Sequence, residues 1–148
     1  MKSLWQEPTR RELLARARRL TPEHQPRWGA FTVDRMLAHL VDAFGMGMGE
    51  IEVRRRNIPV LGTWPFNVLF IRLVGMPKNA PTAREIVTRP PLSIDAELAQ
   101  LEAAMDRFAA QRERTDWPAH PAFGKLSRES WGMLGYVHTD HHLRQFGE

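Results

Sequence analysis

Residues 93–114 read SIDAELAQLEAAMDRFAAQRER, a stretch with neither proline nor glycine. Ile94, Leu98, Leu101, Met105 and Phe108 recur at spacings of 4, 3, 4 and 3, which is one face of an α-helix. Ser93 stands where an N-cap belongs. The same period recurs on either side. Upstream, Thr32 is placed to cap a helix whose stripe is Met36, Leu37, Leu40, Val41 and Phe44, with Gly45, Gly47 and Gly49 weakening and ending it. Earlier still, Pro8 suits a first helical turn, and Leu13, Leu14, Ala17 and Leu20 give an amphipathic helix over residues 8–20. Thr21-Pro22 breaks it. Downstream, Ser127 is a second serine N-cap, opening a last helix that runs to about residue 146.

Residues 50–91 are read less directly. Six prolines between Pro59 and Pro91 make the edges of this region irregular. Ile51 to Val60 is read as extended or loop, and Trp64-Pro65 opens a short apolar helix through Phe66, Leu69, Phe70 and Leu73. No strand-like alternation and no internal repeat appears. The expected fold is all-α: a four-helix bundle with an additional short helix and an irregular middle segment, a single domain over residues 1–148.

Composition excludes several classes. Hydrophobic residues make up 43% and charged residues 26% of the 148, an ordinary globular balance. No window approaches 18 consecutive apolar residues, so no membrane span is expected. The first residues lack the apolar core of a secretory signal, so a cytoplasmic protein is expected. There is no cysteine, which removes disulfides, thiolate zinc sites and a cysteine nucleophile together. The net charge is +4, and 18 of the 21 basic residues are arginine. Arg10, Arg11, Arg16, Arg18 and Arg19 share their segment with Glu7 and Glu12, and no aromatic residues interleave with them. They and Arg54-Arg55-Arg56 are read as solvated surface, with no specific nucleic-acid partner expected. Gly45-Met46-Gly47-Met48-Gly49 closes a helix instead of opening one after a strand, so it is not a dinucleotide fingerprint.

The chemistry is in the histidines. His138 and His142 are i, i+4 neighbours on one helical face, and they share a stripe with Trp131, Leu134, Gly135 and Gln145. Trp131 and Leu134 should face the interior, so the two imidazoles should as well. Two neutral rings in an apolar interior need polar partners. A divalent ion would supply one, given a third ligand. His39, among Met36, Leu40 and Ala43, is the candidate. A lone histidine there is ordinarily a hydrogen-bonded core residue, but the pair elsewhere makes a three-histidine site the stronger reading. The pair is no protease signature, because Thr139 and not Glu follows His138. Asp42 is a candidate to reach a ligand or the ion's water, and His141 and Trp131 are candidate pocket residues; an ordinary helix-face role stands beside each for Asp42 and His141. His24 and His120 read as turn residues. Imidazole ligands suit zinc, nickel, copper or iron, and of these zinc or nickel is the expectation adopted.

Trp28-Gly29, the run Met36-Leu37-Ala38-His39-Leu40-Val41-Asp42-Ala43, the run His120-Pro121-Ala122-Phe123-Gly124-Lys125-Leu126, and the tail from Trp131 to Gly147 together resemble the DinB-like superfamily. The likeness is narrower to a branch of unknown function with an HHLRQFG-type C-terminal tail. It covers nearly the whole chain. It implies a four-helix bundle holding a divalent metal on one histidine of the second helix and two of the last, which map onto His39, His138 and His142. Some members of the superfamily are similar to thiol-dependent S-transferases or isomerases, and others are described as metal-dependent hydrolases. The resemblance therefore implies a small-molecule substrate, with a low-molecular-weight thiol as co-substrate. A metal-dependent hydrolase and a non-catalytic, stress-linked binding module are the alternatives. Related bundles often pair, so a homodimer is a further expectation.

Overall fold

A computed structural model describes residues 1–55, 60, 62–73 and 75–148. Among these the regular structure is helical: α1 (Glu7–Ala17), α2 (Val33–Met48), α3 (Phe66–Leu73), α4 (Ile94–Ala110) and α5 (Arg128–Gln145), with a single 3-10 turn at Arg84–Ile86. No strand occurs among the described residues, so the fold is an all-α bundle. No helix among them is long and apolar enough to cross a membrane. Arg56, of the second arginine cluster, lies outside the described residues, as does part of the stretch read as extended or loop.

Both serine caps form as their positions suggest. Ser93 Oγ accepts from the Ala96 amide at 3.3 Å and Ser127 Oγ from the Ser130 amide at 3.2 Å. Thr32 occupies the N-cap of α2 in extended conformation, without a side-chain bond. The helix ends are shorter than the periodicity suggests. After Ala17 the chain tightens into i→i+3 bonds, Arg19 to Arg16 and Leu20 to Ala17, ahead of the restriction that Pro22 places on Thr21. Leu20 is still buried. α4 likewise gives way after Ala110 to i→i+3 bonds, Gln111 to Phe108 and Arg112 to Ala109, and Arg114 Nη1 beyond it donates to the Met48 carbonyl at 2.8 Å, at the end of α2. Within α2, only Gly49 ends the helix, with φ of +84°. Gly45 and Gly47 stay helical, and a Cβ on Gly47 would stand 3.2 Å from the Trp131 ring.

α2 packs chiefly on α4, while α5 touches α1, α2 and α3. One core joins Leu13, Met36, Leu37, Leu40, Leu101, Met105, Phe108 and Leu143. The N-terminal segment seals one side: Trp5 stacks on Phe108 at 5.0 Å and its indole donates to the Arg128 carbonyl at 3.0 Å. Arginines in and just after α1 are paired within the chain. Arg16 pairs with Asp140 at 2.7 Å and Arg18 with Glu102 at 2.7 Å, and Arg19 bonds Glu148.

α3 forms where the apolar run suggests, but most of that run faces outward. Phe66, Leu69 and Leu73 are 50%, 52% and 75% exposed, whereas Asn67 and Ile71 are buried. The polar residue is inside because Asn67 Nδ2 donates to the Phe123 carbonyl at 3.1 Å, tying α3 to the loop before α5.

The proline-rich segment after α3 is irregular but anchored. Arg89 reaches from it to α2 and α4: Nε donates to Asp42 at 2.8 Å, and Nη1 and Nη2 grip Glu97 at 2.6 and 2.8 Å. Glu97 is fully buried and also accepts from the Leu92 amide at 2.8 Å. Burial alone would raise its carboxyl pKa, but Arg89 and the Leu92 amide hold it below the usual value. Arg35 Nη1 donates to the Val87 carbonyl at 3.0 Å and also bonds the Arg89 carbonyl. These bonds fasten residues 84–92 across α2 and fix the backbone beside His39.

Candidate metal centre

His39 projects from the middle of α2, and His138 and His142 from successive turns of α5. The helices bring the three rings edge to face, with centroids 5.0 Å apart for His39–His138 and 4.8 Å for each of the other two pairs. One ligand nitrogen from each lies within 4.8 Å of the others. His39 Nε2 and His138 Nε2 are 3.1 Å apart. Two nitrogens bound to one tetrahedral zinc stand roughly 3.3 Å apart. The donor set therefore fits a divalent ion.

The bonds behind the rings set the tautomers. The Ile86 carbonyl, 3.1 Å from His39 Nδ1, can only accept, so Nδ1 carries the proton and Nε2 keeps its lone pair. Gln145 does the same for His142. Its Nε2 donates to the Trp28 carbonyl at 2.6 Å, which turns its Oε1 toward His142 Nδ1 at 2.9 Å. Gly29 makes room for that amide: it has φ of +76°, and a Cβ there would stand 2.7 Å from Gln145 Nε2. Two of the three imidazoles thus have Nε2 lone pairs fixed by the protein, the arrangement that metal-ligating histidines ordinarily have.

All three rings are held neutral. Burial lowers the pKa of His39, against the pull of the Ile86 carbonyl and Asp42. Burial and then the neighbouring imidazoles push His138 well below its ordinary value. Burial, with His39 beside it, takes His142 to about 3. Neutral imidazoles are the ligating form.

The cluster opens on a cavity of about 460 Å³. Phe31, Phe44, Phe70, Met46, Ile86 and Leu134 give it a mostly apolar wall. Among the described residues that line it there is no aspartate or glutamate.

The other sequence candidates divide. Asp42 is buried on α2, is bonded to Arg89 and does not line the cavity, although its charge still acts on His39. A guanidinium from the proline-rich segment claims it. His141 lines the cavity, with its ring 5.4 Å from Trp28 and 5.2 Å from His142. Trp131 is a wall residue, 5.6 Å from the His120 ring and 5.8 Å from Trp117. His120, read as a turn residue, does sit in a tight loop, but its ring also lines the cavity. Gln145 and the Ile86 carbonyl were not singled out as orienting groups. Gln145 lies three residues after His142 on the same stripe, a spacing that could have marked it; nothing in the sequence marks Ile86.

Gln145→Leu should weaken zinc binding by about 10- to 100-fold without unfolding the bundle, because it frees His142 to rotate. Competition against a chromophoric chelator measures this, and an unchanged affinity would remove Gln145 from the site.

A family model described as "Protein of unknown function (DUF1569)" matches residues 8–148. No curated protein and no solved structure matches the chain.

Proposed function

The chain belongs to the DUF1569 family, and we propose that it is a divalent-metal-dependent enzyme of the DinB-like kind that transfers a small thiol to a small, mostly apolar electrophile. One observation carries this reading: three neutral histidines with converging nitrogens face a cavity of about 460 Å³, instead of being closed off in the core. His39, His138 and His142 would hold the ion, with zinc or nickel suited to the imidazole set. Held this way, the ion would supply Lewis acidity, lowering the pKa of a thiol or water in its open position.

The cavity wall favours transfer over hydrolysis. In zinc hydrolases of the HExxH type a glutamate takes the proton of the attacking water. No carboxylate lines this cavity among the described residues. A thiol ionises far more readily than water and needs no such base. The apolar wall suits the electrophile's carbon skeleton.

The test is a paired assay on zinc-loaded protein. One arm follows conjugation of N-acetylcysteine to 1-chloro-2,4-dinitrobenzene; the other follows hydrolysis of p-nitrophenyl acetate. Conjugation above the uncatalysed rate, abolished by chelation and by His138→Ala, is the expected result. Ester hydrolysis alone would replace transfer with hydrolysis, and activity in neither arm would leave a binding module.

A further inference from the structure

His120 is a firmly held side chain of the cavity outside the three histidines. Its loop is closed by reciprocal backbone bonds, His120 amide to the Gly124 carbonyl at 2.8 Å and Gly124 amide to the His120 carbonyl at 2.9 Å. Gly124 has φ of +65°, and a Cβ there would meet the Gly62 carbonyl at 2.6 Å. Asn67 of α3 donates to the carbonyl of Phe123 in the same loop. The ring is wedged between Phe123 at 4.8 Å and Trp131 at 5.6 Å. A side chain held this firmly can fix the orientation of whatever it touches.

Its tautomer follows from the backbone. His120 Nδ1 accepts from the amides of Ala122 at 3.1 Å and Phe123 at 3.2 Å. A nitrogen that accepts cannot carry the proton, so the proton of the neutral ring is on Nε2. Nε2 has no hydrogen-bond partner among the described residues, and it is not among the sealed, unpartnered atoms of the interior. The ring lines the same cavity as His39, His138 and His142.

We propose that His120 is a substrate-positioning residue whose Nε2–H donates to a carbonyl oxygen of a small, mostly apolar substrate lying between it and the three-histidine cluster. This rests on the cavity being a small-molecule site, as in the function proposed above, but not on the ion. The ligand atom must be an acceptor, because Nε2–H is a donor only. The acceptor proposed is an uncharged carbonyl, because the wall is largely apolar, with Arg54 the one ordinarily charged side chain among the described lining residues, and the ring is neutral. Burial takes its pKa to about 4, so it stays neutral near pH 7. A neutral imidazole donor can hold and polarise a carbonyl without giving up its proton.

Two probes of matched shape test this: acetophenone, and α-methylstyrene, which has a methylene group in place of the oxygen. Binding to the full-length protein is followed by NMR after chelation and again with zinc. One neutral hydrogen bond should make metal-free wild type prefer acetophenone by roughly fivefold. His120→Asn places an amide oxygen near the Nδ1 position, to keep the loop's two amide bonds, and removes the Nε2–H. It should abolish the preference while still binding α-methylstyrene. His120→Gln returns an N–H near the Nε2 position and should restore part of the preference. Equal affinity of wild type for the two probes, no binding of either, or a preference that survives in His120→Asn would overturn the assignment. A preference seen only with zinc and kept in His120→Asn would place the oxygen on the ion, overturning the role of His120 but not the metal site. A metal-free preference lost in His120→Asn, in a protein that takes up no zinc, would uphold His120 and reject the metal reading.

Discussion

Chelated wild-type protein given zinc at a thousandfold excess over its dissociation constant should gain roughly 4 kcal/mol of stability, and His39→Ala should gain almost none. The reason is geometric. His39 belongs to α2, whereas His138 and His142 belong to α5. An ion shared among them cross-links segments about 100 residues apart, and only the folded chain brings those segments together. Without His39 the remaining pair is confined to α5, and the cross-link is lost. The apo bundle should survive, because Met36, Leu37 and Leu40 keep their burial. His39→Leu serves as a control: it removes the ligand while filling the space with an apolar side chain. Thermal melts with and without zinc measure the effect. A wild type that gains nothing, or a His39→Ala that gains as much, would make His39 a core histidine.

Arg89→Ala should cost about 3–5 kcal/mol in metal-free protein, a large loss for a side chain that is itself one-third exposed. The cost comes from what it leaves behind. Asp42 and Glu97 have side-chain exposures of 8% and 0%. Without Arg89, two buried carboxylates lose their shared cation. The contribution is also tied to pH. The folded-state pKa of Glu97 lies below its ordinary 4.5, so its stabilisation is present above that value and is lost as pH falls through the folded pKa. Urea denaturation at neutral pH and near pH 3 should show the difference between wild type and Arg89→Ala shrinking in acid. A neutral-pH difference under 1 kcal/mol would mean the cluster contributes no more than a surface pair. Because the same segment carries the Ile86 carbonyl to His39, the variant should also weaken zinc binding.

Much of this was legible because helical periodicity is local. The spacings within residues 94–108, the serines at positions 93 and 127 and the i, i+4 histidines each declare themselves within a few turns of chain. The meeting of His39 with His138 and His142 could be anticipated, because each sits on the apolar stripe of its own helix. What escaped the reading depends on segments without a period. The partner of Asp42 arrives from a proline-rich stretch whose path no pattern specifies. The outward turn of Phe66, Leu69 and Leu73 is set by the bond from Asn67 to a distant loop carbonyl. His120 looked like a turn residue, and it is one; no local signal said that the turn would be pressed against the cavity wall.

In the proposed centre, the imidazoles of His39, His138 and His142 share one ion. The most direct measurement is imidazole 15N NMR of the full-length protein, chelated and then titrated with zinc. The Nε2 signals of His39, His138 and His142 should move together and saturate at one equivalent, while those of His24, in the loop after α1, stay where they are. If zinc leaves these three unmoved, or shifts His24 or His141 in their place, the three-histidine centre is wrong.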